Sequence, residues 1–330
     1  MTELEFSIQR LRERRTLVMG IAALMIYFAH VYSYADLGTL GAFFTYANWG
    51  VDVFLLVSGF GIGHSIAKCP IARKFYWKRL VRVGVPYLIL AVPFYFASDI
   101  LVADQGDWGL FVLDVSTLSY WLLHRGAWYV SMLVPLYLLV PLVGSFCRRF
   151  GAPIVCIVAT VLSAAVALFL KAAFTDAGLA LNVANVFQRI PSFFTGYLLA
   201  DRLISGKSRG GVSVKAAVLG SVLALLGWFL SRNTGCTSFM PALVIAFWVS
   251  APQRLPFECF LEKLGKASLE SYLLNIYVLA LMRDAFGWAG IADYLIVTVI
   301  SMVVALLLHH ALERPLEHLV AMNPVRRTAV

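Results

Sequence analysis

The chain has 330 residues, 61% of them hydrophobic and only 14% charged, with a mean hydropathy of +0.81. A water-soluble domain of this length has to present polar surface to solvent, so this composition excludes an ordinary soluble fold. The formal net charge of +9 therefore has meaning through where the basic residues fall, and it does not point to nucleic acid.

A bilayer span needs roughly 20 apolar residues. Apolar runs fall at about 17–35, 49–67, 83–101, 127–146, 153–171, 187–204, 214–230, 238–251, 268–283 and 292–311. Lipid offers the backbone no hydrogen bonds, so these runs must be helices. The expectation is an all-α polytopic membrane protein with about ten transmembrane helices. The first run, Leu17–Tyr34, has no small-residue cleavage site behind it and contains Tyr27 and His30, so it reads as a retained helix. The run at 238–251 is the shortest.

Placing the N-terminus in the cytoplasm leaves all but five of the 27 Lys and Arg residues on the cytoplasmic side. The five are Arg125, Lys171, Arg189, Arg232 and Arg283. Cytoplasmic groups such as Lys68, Lys207, Arg209, Arg326 and Arg327 would change sides if one span were lost or gained, and the asymmetry would vanish. Both termini are thus expected in the cytoplasm. Residues 1–16 are expected to form a basic cytoplasmic N-terminus, 312–330 a cytoplasmic tail, and 1–330 a single transmembrane domain. The longest outer loop, about 99–126, carries Asp99, Asp104, Asp107 and Asp114. No internal repeat is visible, which weighs against transporter folds built from repeats. The five cysteines, Cys69, Cys147, Cys156, Cys236 and Cys259, show no CxxC pair. They suggest neither a disulfide frame nor a metal site, and read as apolar fillers.

Ionisable groups inside spans are costly and need a reason. His30 lies about 21 Å along its helix from Thr16 at ~1.5 Å per residue. Tyr27 and Tyr34, at i−3 and i+4, share its face. It is either a neutral histidine bonded to a neighbouring helix or a general base. Asp52 opens the second helix, where the helix dipole favours a carboxylate and where it could also serve a site. Ser58-Gly59-Phe60-Gly61-Ile62-Gly63 lets another helix or a ligand approach the backbone closely. In Phe75-Tyr76-Trp77-Lys78-Arg79-Leu80-Val81-Arg82, Arg79 and Arg82 share a face at i, i+3. They suit either anionic lipid head groups or a polyanionic ligand. Arg189 precedes Ile190-Pro191 at the outer end of the sixth span. His64, His124, His309 and His310 have no ligand spacing.

In this order the motifs resemble the acyltransferase-3 family of integral-membrane O-acyltransferases. The resemblance rests on His30-Val31-Tyr32, on Gly50-Val51-Asp52-Val53-Phe54-Leu55-Leu56-Val57-Ser58-Gly59-Phe60, and on Arg79 and Arg82 before Pro86-Tyr87. It continues through Trp128-Tyr129 with Leu136-Tyr137 and Pro141, and through Arg189-Ile190-Pro191-Ser192-Phe193-Phe194-Thr195-Gly196-Tyr197. Leu264-Gly265-Lys266-Ala267-Ser268-Leu269-Glu270-Ser271-Tyr272-Leu273 and Glu313-Arg314-Pro315 complete it. Two positions depart from the pattern. Met19 stands where the family usually has an arginine on the face of His30, and Asn275 stands where it often has a histidine.

The resemblance implies transfer of an acyl group, usually acetyl, from acyl-CoA to a sugar hydroxyl of a cell-surface polysaccharide or lipid-linked glycan, at the inner cell membrane. It implies no metal. His30 would be the base and Asp52 its orienting or charge-stabilising partner. Arg15, Arg79 and Arg82 would hold the donor's phosphates at a cytoplasmic mouth. Trp128 and Tyr129 would stack on the sugar, Arg189 would meet the acceptor or a developing charge, and Asn275 would contact substrate without carrying a proton. A glycolipid or anion transporter or flippase, and a catalytically degenerate family member, remain the other readings.

Overall fold

The computed structural model describes residues 8–34, 41, 44–68, 71–102, 106–174, 178–206, 212–251, 254–288 and 290–322. Cys69, Asp104, Lys207, Arg209, Arg326 and Arg327, and the side chains of Tyr32, Tyr34 and Lys68, lie outside the described residues. The chain is all-helical, 88% helix, with no strand among the described residues. In chain order the helices are α1 (Ile8–Glu13), α2 (Arg15–Tyr34), α3 (Trp49–Lys68), α4 (Ala72–Arg79) and α5 (Val85–Tyr95). They continue as α6 (Trp108–Val115), α7 (Leu118–Leu123), α8 (Trp128–Phe150), α9 (Ala152–Ala173), α10 (Leu179–Phe187) and α11 (Ile190–Ile204). The last are α12 (Val214–Ser231), α13 (Phe239–Ser250), α14 (Glu258–Lys266), α15 (Ser268–Phe286) and α16 (Ile291–Ala321).

Local chemistry sets many of these ends. Pro153 and Pro191 sit in the first turns of α9 and α11, where a missing N–H costs nothing. The Asp107 carboxylate accepts the Leu110 N–H and starts α6. π-helical turns at Leu80–Gly84 and Phe96–Leu101 flank α5.

Among the described residues, six stretches are long and apolar enough to cross a bilayer: Tyr46–Ala67, Ala72–Leu101, Trp128–Phe150, Ala152–Ala173, Val214–Thr234 and Ile291–Ala321. Arg15–Val31 and Phe239–Ser250 are shorter apolar helices. The expected runs 187–204 and 268–283 fall on α11 and α15. The first is cut to 15 residues by the break at Gln188–Arg189, and the second carries Glu270, Asn275, Arg283 and Asp284. A lipid environment is visible in what the helices expose. Val161, Leu162 and Phe169 on α9, Leu223 and Leu230 on α12, and Val299 and Leu307 on α16 are all uncovered. Water would penalise each of them.

The chain divides into two compact units. Unit 1 contains residues 1–26, 47–70 and 140–266. Its centre is α3 against α11, an approach made close by glycine. A Cβ on Gly196 would collide with the Leu56 carbonyl, and one on Gly59 with the Phe193 carbonyl. The Gly-rich stretch predicted to admit a helix or a ligand thus admits a helix. Leu55, Leu56, Phe60, Ile62, Phe193 and Ala200 are buried there. A second reciprocal contact joins α2 and α14, with Gly20 under the Leu261 carbonyl and Gly265 under that of Thr16. Cys147, Cys156, Cys236 and Cys259 are unpaired.

Unit 2 contains residues 27–46, 71–139 and 267–330. Here α15 packs on α16 and α5. Phe94 stacks on Tyr277 at 4.3 Å, and Tyr95 meets that ring edge-on. Trp77 Nε1 donates to the Leu319 carbonyl, tying α4 to the end of α16.

Candidate functional site

His30 stands in the last turns of α2, half-buried. Its Nδ1 lies 2.5 Å from Asn275 Oδ1 on α15. An amide oxygen can only accept, so Nδ1 carries the proton and Nε2 keeps its lone pair. Three residues earlier, the Tyr27 hydroxyl meets Ser271 Oγ at 2.7 Å and the Ser271 carbonyl at 3.2 Å. Tyr294 donates to the Tyr27 carbonyl. These bonds lock the register of the His30 segment against α15. Satisfying polar groups across helices is what a low-dielectric setting demands.

An aromatic wall adjoins the imidazole. The Tyr272 ring lies 6.5 Å from His30 and meets Tyr129 edge-on at 5.6 Å. The Tyr129 N–H donates to the Tyr272 hydroxyl, and Trp128 meets Tyr129 at 6.4 Å. Within unit 2 the fold therefore gathers His30, Asn275, Trp128 and Tyr129. Tyr272 connects them, and sequence reasoning gave it no role. Its position three residues before Asn275 on one helix was the available signal.

Asp52, in the first turn of α3 and fully buried, belongs to a separate cluster in unit 1. One oxygen is ion-paired with Arg189, the residue capping α11, and the other accepts the Ser192 hydroxyl at 2.7 Å. Within its own unit His30 is partnered by Asn275, and within its own unit Asp52 is partnered by Arg189 and Ser192. The physical reason is charge. A buried carboxylate needs a cation and donors around it, whereas a neutral imidazole is satisfied by an amide. Sequence reasoning assigned Ser192 no separate role, although its i+3 spacing from Arg189 puts both on one face of the first turn.

The three cytoplasm-assigned arginines have different surroundings. The Arg15 guanidinium lies against Gly61, where a Cβ would come within 2.8 Å of Nη1. Arg79 sits over the rings of Phe75 and Tyr137 at 5.4 and 5.3 Å, while Arg82 is exposed. The i, i+3 argument assumed α-helical pitch. The π turn at Leu80–Gly84 begins between the two, so their spacing is not that of a regular α-helix. A further pair, His309 Nδ1 with the buried Glu270 carboxylate at 3.0 Å, was not foreseen.

The fold and these sites define a multi-helical membrane protein with a half-buried histidine set among aromatic and amide side chains. The chain belongs to the acyltransferase-3 family: the family's model, described as an acyltransferase domain, matches residues 17–310. It is an acyltransferase that transfers groups other than aminoacyl groups. No curated protein and no solved structure matches it.

Proposed function

We propose that the protein is a multi-pass inner-membrane enzyme moving an acyl group, acetyl in the first instance, from acyl-CoA to a sugar hydroxyl of a cell-surface polysaccharide or lipid-linked glycan. The observation that carries this reading is the His30–Asn275 bond. It leaves Nε2 of a half-buried imidazole as the open basic position. In the reaction, Nε2 takes the proton of the sugar hydroxyl as its oxygen attacks the thioester carbonyl. The tetrahedral adduct then expels the thiolate, and the C–S bond breaks as the new C–O ester bond is kept. The imidazolium returns the proton to sulfur, so the products are the acylated sugar and free thiol.

Trp128 and Tyr129 serve the sugar by stacking, a role suited to their place beside Tyr272. Arg15, Arg79 and Arg82 hold the donor's phosphates. Arg79 is supported in this by the two rings that fix its guanidinium, because a pre-oriented guanidinium gives up less freedom on binding phosphate. Asp52 sets the direction of Arg189, which meets the acceptor or the charge developing on it.

The test is label transfer in membranes. Acyl-CoA carrying a labelled acyl group is expected to mark glycan, and His30→Ala should lower that rate by about 10²–10⁴-fold at unchanged protein level. Glycan labelled at the wild-type rate by His30→Ala would remove the base from the mechanism. Movement of unmodified glycolipid with no label incorporated would remove the transfer reaction itself.

A further inference from the structure

Glu270, in the first turn of α15, is 3% exposed, and its Oε1 lies 3.0 Å from His309 Nδ1 on α16. A carboxylate oxygen can only accept, so the ring carries a proton on Nδ1. His309 falls inside the apolar stretch Ile291–Ala321, where ionisable groups are costly and call for a role. Their neighbours indicate one. The residue after Glu270 is Ser271, which meets the Tyr27 hydroxyl of α2 at 2.7 Å. Asn275 follows on the same helix, about 7.5 Å beyond Glu270 at ~1.5 Å per residue, and its Oδ1 holds His30 Nδ1 at 2.5 Å. Further along, Leu279 packs with Tyr294 and Val297 of α16. Apolar burial of that kind is non-directional and lets two helices slide. A hydrogen bond between buried polar groups of two helices is directional, and fixing register is the best-attested use of such groups.

We infer that Glu270 and His309 are positioning residues for the acyl transfer: their bond fixes the register of α15 on α16, and so the place at which the Asn275 amide meets His30. This rests on the acyl-transfer reading, in which His30 is the base, and deepens it. Neither residue touches substrate or moves a proton in the reaction. Their effect is carried by α15, which transmits a slip at Glu270 to Asn275 because a helix of hydrogen-bonded turns shifts as a unit. At the imidazole the tolerance is small. A slip opens the Asn275–His30 bond and releases the tautomer that leaves Nε2 basic. A misplacement of ~1 Å at a reacting group costs about 10²-fold in rate.

The single change His309→Leu strands a buried carboxylate, so the decisive variant is Glu270→Leu combined with His309→Leu, which removes the bond and leaves no charge behind. In membranes with protein levels matched, transfer of labelled acetyl from acetyl-CoA to glycan is expected to show kcat lowered about 10–10²-fold in this double variant. KM for acetyl-CoA should stay within about twofold. His309→Asn keeps an N–H donor near the place of Nδ1, and its kcat should lie within about threefold of wild type. Added to Asn275→Leu, the double variant should lower kcat by less than about threefold more, because its effect runs through Asn275. A pair serving architecture alone would give neither a loss confined to kcat nor an effect that disappears with Asn275. The inference is overturned if the double variant keeps kcat within about threefold of wild type, or if its full loss persists on Asn275→Leu. A His309→Asn as impaired as the double variant overturns it too. Glycan left unmarked by wild-type membranes, or marked at the wild-type rate by His30→Ala, overturns the acyl-transfer reading instead.

Discussion

Asp114, at the end of α6, shares a single guanidinium with a second buried acid. Arg125 Nη2 lies 2.5 Å from Asp99 Oδ1, and its Nε lies 2.9 Å from Asp114 Oδ2. Burial pushes the Asp114 carboxyl up to about 6, with the nearby charge of Asp99 adding to the rise; Ser119 and Arg125 oppose it. Tyr87, which donates to the Asp114 backbone carbonyl, is the other titratable side chain bonded there. Because the folded value is raised, the unfolded chain ionises first as pH rises. Local stability is therefore highest below about pH 4, falls between about 4 and 6, and is constant above. Limited proteolysis of segment 102–126 is expected to be slower at pH 5 than at pH 7.5. Asp114→Asn should lose that difference, and an unchanged difference would assign it to another group. In the sequence these acids read only as members of an outer loop. That two of them face one arginine depends on a chain path no local pattern encodes.

At the level of elements, α3 carries two neighbouring glycines with different neighbours. A Cβ at position 59 meets the backbone carbonyl of Phe193, which cannot retreat, so Gly59→Ala is expected to cost about 1–3 kcal/mol by overpacking and to lower the yield of folded protein. At position 61 the obstacle is the flexible end of Arg15. Gly61→Ala should fold normally in a detergent thermal-melt assay yet raise KM for acyl-CoA several-fold, because it displaces a guanidinium assigned to the donor's phosphates. Equal melting losses in the two variants would refute this distinction. The small-residue spacing was legible in the sequence, but which element fills the notch was not. Periodicity also missed the π turns around α5. An extra residue per turn leaves no compositional mark.

For the whole molecule, the charge asymmetry predicts ten crossings with both ends in the cytoplasm. Six stretches among the described residues meet the length and hydropathy of a span. Single cysteines placed in a cysteine-free chain at residue 3, in 102–126 and at residue 328 test the topology with a membrane-impermeant maleimide in intact cells. The expected outcome is labelling of the middle site alone from outside. Labelling of residue 328 would make the number of crossings odd. By itself the sequence determined the all-helical membrane class and the acyltransferase family, and it singled out His30, Asp52, Arg189 and Asn275 as candidates, because hydropathy, charge placement and motif order are local or cumulative properties. Only the tertiary structure decided which of these touch. Asp52 is buried and must neutralise its charge, so it takes Arg189 and Ser192. His30 takes the amide that α15 presents, and that choice leaves one donor of Asn275 without a partner beside the imidazole.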